Sequence, residues 1–288
     1  MKAEIPKTLS NCHRQVAWLI LILLLLLRIP YVIAIIYFLP IENQSGAAVY
    51  EIGTYFLIAV LIWWERDRLA DFHIDLSALA LIVLFRPMQT LILGYWKVES
   101  PLAFPSPFGL LIWAISIGLV ISLWRSGFKP ARFSSSTLGW LAVGLFAGLC
   151  VSVAENLGSF LSIIRDSAGP PSVPASVLVS TSLNLLYHLG FAPINEEPLF
   201  RGFLWGYLRG LNWKEGRILL FQAALFTSAH VYYAMRYPFM FWVLIPVSAL
   251  LFGVLTMRSR SISPAILAHG LINGSVYLLA SGLISIIV

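Results

Sequence analysis

Apolar runs of about twenty residues, separated by short polar stretches, set the rhythm of this chain. Nine such segments can be marked: residues 16–39, 46–64, 76–95, 107–124, 138–164, 174–194, 216–234, 239–257 and 262–287. About twenty apolar residues in a helix cross the roughly 30 Å hydrocarbon core of a bilayer. A backbone in lipid must also satisfy its own hydrogen bonds, which selects helices. The pattern therefore predicts an all-α, polytopic transmembrane helical bundle of about nine spans. Eight spans with one segment re-entrant is the alternative count. The proline-rich stretches "ESPLAFPSP" and "SAGPPSVP" read as turns. The polar linker "FKPARFSSST" reads as the boundary between an N-terminal four-helix region, 1–135, and a second transmembrane region, 136–288. The basic N-terminus resembles a signal peptide, but its apolar run continues past Arg28 to about Phe38 without a small-residue cleavage site, so a retained first helix is expected.

Composition agrees with this pattern. Apolar residues make up 59% of the chain and charged residues 11%, and the mean hydropathy is +0.85. A soluble globular domain is excluded. The two cysteines, Cys12 and Cys150, point to neither a disulfide framework nor a metal knuckle. The net charge of +6 falls in loops, and no nucleic-acid footprint or phosphate loop accompanies it.

The basic residues also orient the spans. With the N-terminus cytoplasmic, thirteen fall inside: Lys2, Lys7, Arg14, Arg66, Arg68, Arg125, Lys129, Arg132, Arg209, Lys214, Arg217, Arg258 and Arg260. Only Lys97, Arg165 and Arg236 fall outside, and Arg28, Arg86 and Arg201 lie within spans. Such an asymmetry is the positive-inside pattern, and dropping one span would invert every later loop. The expected topology is N-terminus in and C-terminus out, in a cell membrane if the source is prokaryotic.

Ionisable groups inside spans are costly and so are candidates for function. Arg28 and Arg86 are read first as pairing with Glu155 or Glu51 or as snorkelling, Glu51 near its span end also as facing water, and His188 as a hydrogen-bonded core residue. The cluster "NEEPLFRG", 195–202, is different. Glu197 and Arg201 are four apart and share a helix face, so they can pair. Glu196 points about 100° away, without a local counter-ion. Gly190 and Pro193 weaken the preceding helix. Asn195 is a good N-cap, so a new helix is expected to start there, with its dipole favouring the ionised carboxylate.

Downstream, Phe226 and His230 are four apart in "LFTSAHVYY", as are His269 and Asn273 in "AHGLINGS". Gly270 and Gly274 permit close helix approach. The span directions place His230 near mid-depth and His269 about 10 Å from the cytoplasmic end. One cavity open to the cytoplasmic side is expected to hold Glu196, His230, His269 and Asn273.

These motifs, in this order on successive membrane helices, resemble the CPBP family, the CAAX protease and bacteriocin-processing (ABI) proteins. The resemblance covers roughly residues 180–285, and the first five spans lie outside it. It implies that 136–288 is a CPBP-like catalytic transmembrane domain and that the protein is an intramembrane glutamic-type endopeptidase. Glu196 would activate the water with help from His230. His269 and Asn273 would bind the oxyanion, and Glu197, Arg201 and Phe226 would support the site. The implied partners are a membrane-anchored or lipidated peptide or protein and the bilayer itself. No cofactor is required by this chemistry. The metal alternative is zinc held by Glu196, His230 and His269, although no HExxH motif is present. A non-proteolytic protein of the same fold, with an immunity or partner-binding role, is the alternative of a different class.

Overall fold

The computed structural model describes residues 15–26, 44–130, 135–166 and 175–282, and these are all-α. Helix α1 spans Gln15–Leu26. It is followed by α2, Gln44–Trp64; α3, Leu76–Tyr95; α4, Pro107–Arg125; α5, Ser135–Asp166; and α6, Ala175–Gly190. Then come α7, Ala192–Glu197; α8, Trp205–Gly210; α9, Glu215–Ser228; α10, Tyr233–Arg236; α11, Ile245–Ser259; and α12, Ser263–Gly282. A 3-10 turn, Arg66–Phe72, links α2 to α3, and π turns occupy Pro198–Leu204 and Met240–Leu244.

Five helices among the described residues are long and apolar enough to cross a membrane: Gly46–Trp64, Leu76–Tyr95, Pro107–Arg125, Ser136–Glu155 and Met240–Ser259. Each coincides with an apolar segment marked in the sequence. Local chemistry sets their ends. Asp75 caps α3 by accepting from the Ala78 N–H at 2.9 Å, and Ser106 caps α4 by accepting from Gly109 at 3.0 Å with Pro107 behind it. The other predicted segments differ. The first and last run beyond the described residues, and Arg28 lies outside them. The sixth is broken after Gly190, and the seventh stops at Ser228, short of a full span.

Chain direction puts three polar links at one end of the bundle, and hydrogen bonds tie them together. Arg209, in the last turn of α8, donates to the Asp71 carbonyl at 3.3 Å and to Glu215 at 2.9 Å, and it also meets the His73 ring. The Ile262 N–H, between α11 and α12, donates to the His73 carbonyl at 2.9 Å. Arg260 lies 3.6 Å from Glu215. The basic links 66–73, 209–217 and 258–262 therefore form one face, as an alternating series of spans requires. Beneath it lies a packed layer of Phe72, Phe200, Phe203, Trp205 and Tyr207, all buried. The links 96–106 and 229–240 lie at the opposite end.

The two halves of the chain interlock. α3 packs on α6, α5 on α12, and α6 on α12. The glycines read as contact points are contact points: a Cβ on Gly270 would fall 2.3 Å from a Leu189 methyl, so α12 and α6 approach where a side chain cannot fit.

Candidate active site

The charged octet is placed by a break five residues upstream of the expected helix start. Gly190 lies against α3 so closely that a Cβ would meet the Phe85 carbonyl oxygen at 2.2 Å. Phe191 then leaves helical geometry at φ −94° and ψ −109°, and α7 begins at Ala192 with Pro193 in its first turn. Proline lacks an N–H and suits that position. Asn195 therefore does not cap a helix. Its side chain donates to Glu51 on α2 at 2.8 Å, and Glu196 and Glu197 end α7 instead of opening it. The expected support from a helix N-terminus is absent at this pair, because the proline-initiated turn is already spent when the carboxylates arrive. The chain continues as a π turn, a widened form found often at functional sites.

Within that turn the expected ion pair forms. Arg201 Nη1 is 3.2 Å from Glu197 Oε1, with both side chains fully buried. Arg201 also donates to the Ala249 carbonyl at 3.2 Å, and its guanidinium lies 4.2 Å from the centre of the Phe226 ring. Glu197 Oε1 is shared: His269 Nδ1 approaches it at 2.7 Å. A carboxylate paired to arginine accepts, so Nδ1 carries the proton, and in the neutral ring the lone pair is on Nε2. That Nε2 lies 4.0 Å from Glu196 Oε2. The ring is held by stacking on Phe252 at 4.9 Å and by the edge of Phe226 at 6.0 Å.

His230 departs from its expected place in the middle of a span. α9 ends at Ser228, and His230 sits in the following turn. Its Nδ1 lies 2.8 Å from the Phe226 carbonyl, an oxygen left open by the helix end, so Nδ1 is again the donor. The imidazole lies over the Phe226 ring at 4.6 Å. Phe226 thus touches Arg201, His230 and His269 together, and the spacing Phe226-x-x-x-His230 survives as a contact although the helix does not continue.

Glu196, Phe226, His230, His269 and Asn273 all line one cavity of about 720 Å³. Its wall also contains residues that the sequence reading set aside. His188 is one. Glu51 and Glu155, read as pairing groups, are others. Glu51 does pair, with Arg86 at 2.7 Å. Arg86 is held in turn by Gln89 at 2.7 Å and the Gly190 carbonyl at 3.2 Å. Of the partners expected for Arg86, Glu155 or Glu51, the structure pairs it with Glu51.

The cavity's described walls reach one end of the bundle. They extend to the α3–α4 link at Val98–Leu102 and to Tyr232 and Met240, opposite the basic links. Among the described residues, no three His, Cys, Asp or Glu side chains are gathered as a metal would need. The Nδ1 atoms of both candidate histidines are engaged with protein oxygens.

Residues 178–275 match the family Type II CAAX prenyl endopeptidase Rce1-like, so this segment, about a third of the chain, is identified as Rce1-like. The match encloses every motif residue from Glu196 to Asn273 and leaves Glu51 and Arg86 outside. No curated protein and no solved structure matches the chain.

Proposed function

We propose that this protein is an intramembrane endopeptidase that hydrolyses a peptide bond of a membrane-anchored or lipidated protein, with Glu196 as the base that activates water. The observation that carries the reading is the pairing of Glu196 Oε2 with His269 Nε2 across 4.0 Å in the cavity wall. A water bridging the two atoms would sit about 2.8 Å from each. Glu196 takes a proton from this water as its oxygen attacks the scissile carbonyl. Asn273, one turn beyond His269, donates to the oxyanion. His269 joins Asn273 in holding the oxyanion once its Nε2 takes up a proton from bulk solvent, and Glu197 on its Nδ1 stabilises the imidazolium and fixes the ring, as a buried carboxylate does for a catalytic histidine. Collapse of the intermediate returns the proton from Glu196 to the leaving amine. His230 assists from the Phe226 side, and Arg201 holds Glu197 in place.

The Rce1-like match supports this chemistry and a prenylated or other membrane-protein substrate. About nine spans with a cytoplasmic N-terminus is the topology that best fits the charge asymmetry. Purified protein with Glu196→Gln and with Glu197→Gln, assayed on membrane-anchored reporters with and without chelator, tests the reading. Glu196→Gln should abolish cleavage and chelator should leave the wild type active. Full activity in Glu196→Gln would remove Glu196 as the base. Loss with chelator and recovery with zinc would favour the metal alternative.

A further inference from the structure

We propose that Glu51 and Arg86 are a positioning pair: through Asn195 and the Gly190 carbonyl they fix the direction of α7 and so aim Glu196 into the cavity. What Glu196 does there rests on the protease reading. What holds it there stands on the contacts of the pair itself.

α7 cannot orient itself. It has six residues, Ala192–Glu197, and is entered through a non-helical Phe191. A helix that short has no stability of its own, so its direction must come from ties to the rest of the fold. Three consecutive side chains leave it about 100° apart. Asn195 reaches α2. Glu196 lines the cavity, 4.0 Å from His269 Nε2. Glu197 meets Arg201 and His269 Nδ1. Fixing the first and the third therefore fixes the second. Arg201, from within the motif, secures the third. The first is secured from outside it.

The pair grips both sides of the break. On the near side, at the end of α6, Arg86 Nη1 donates to the Gly190 carbonyl at 3.2 Å. On the far side, within α7, Asn195 Nδ2 donates to Glu51 Oε2 at 2.8 Å. Arg86 Nη2 donates to that same oxygen at 2.7 Å, so one carboxylate oxygen joins the two grips. A carboxylate paired to arginine accepts, which fixes the Asn195 amide with its nitrogen toward α2. Gln89, one turn beyond Arg86, accepts from Nη1 at 2.7 Å and steadies the guanidinium. Arg86, Gln89 and Asn195 are all buried, and hydrogen bonds to ionised groups are short and strong.

Glu51 and Arg86 lie on α2 and α3, outside residues 178–275. The segment that carries every motif residue thus takes its geometry from two helices it does not contain. A reacting group displaced by about 1 Å can lose about 10²-fold in rate. The pair acts on Glu196 through Asn195 and the end of α6, so its effect falls on kcat.

The test uses the full chain in detergent with a membrane-anchored reporter. Asn195→Ala, which leaves the ion pair in place, should lower kcat about 10- to 100-fold with KM changed by less than about twofold. Glu51→Ala combined with Arg86→Met removes both grips without leaving a lone buried charge, and should lower kcat as much. Adding Asn195→Ala to that variant should cost little more, because the tie is already gone. Glu51→Gln keeps an accepting oxygen for Asn195 and should recover most of the kcat that the double variant loses. Amide hydrogen exchange across residues 190–198 should rise in Asn195→Ala, and exchange across α4 should not. A multiplicative loss in the triple variant would overturn the proposal, since Glu51 and Asn195 would then act separately. So would a raised KM at unchanged kcat, which would put Glu51 in contact with substrate, and so would wild-type kcat in Asn195→Ala. If the wild type cuts no better than Glu196→Gln, the protease reading fails instead, and exchange across 190–198 still decides whether Glu51 holds α7.

Discussion

Helices α2 to α4 are apolar over whole span lengths, whereas the stretch from Gly190 to Leu244 is richer in charged residues, and the two fold differently. The first region forms long, uninterrupted helices whose ends are set by capping residues such as Asp75 and Ser106. The second is cut into short helices, two π turns and a helix that stops at Ser228. The difference follows the polar groups. A regular helix consumes its own backbone hydrogen bonds and can only present side chains radially. Broken helices release carbonyls that bind functional groups: the Phe226 carbonyl takes His230 and the Gly190 carbonyl takes Arg86. The cost of irregular backbone in a membrane is tolerated where it is covered by protein or lines a cavity.

Four outcomes sharpen or break this contrast. The largest concerns the reactive half: Glu196→Gln should reduce cleavage by about 10²- to 10⁴-fold, the usual contribution of a positioned base, with an unchanged melting temperature in detergent. A comparable loss of stability would make Glu196 a structural group. Next, Arg201→Met leaves Glu197 buried beside His269 without its cation, and breaking such a pair costs about 3–5 kcal/mol. Thermal unfolding should show that loss, and adding Glu197→Gln should recover part of it.

The corresponding change in the regular half, Arg86→Met, should cost less by the same measurement, because the Glu51 side chain is 15% exposed toward the cavity and can be hydrated. An equal or larger loss would erase the distinction between site and scaffold. The smallest effect lies on the basic face, at most about 1.4 kcal/mol over the first pH unit below 6.5. Burial, with Arg209 and Arg260 nearby, pushes His73 from the usual 6.5 to about 3. Below 6.5 the unfolded chain binds a proton that the folded chain refuses, so stability should decline as the pH falls from 6.5 toward 3. His73→Gln should flatten that part of the profile, and an unchanged slope would show that His73 does not carry it.

The legible part of this protein was its period and its spacing. Segments 46–64, 76–95 and 107–124 could be read because hydropathy over a span length is a local property. Glu197 and Arg201 could be paired, and the Phe226–His230 contact expected, because residues four apart meet on a helix. The place where helix geometry stopped could not be read this way. Asn195 has the chemistry of a cap, but Gly190 pressed against Phe85 and Pro193 in the next turn moved the break upstream.

By itself the sequence determined an all-α membrane architecture, a basic face, and a short list of residues rich enough in chemistry to matter, among them Glu196, His230, His269 and Asn273. It did so because burial of apolar surface, positive-inside charge and helical repeat are all written in local order. Tertiary structure alone decided that Glu197 serves Arg201 and His269 at once, that Glu51 and Arg86 from the first half brace the wall of a site in the second, and that the described walls of that cavity include the α3–α4 link. Those outcomes depend on which helices touch and at what height, and that is set by long-range packing such as Gly270 on Leu189 rather than by any spacing along the chain.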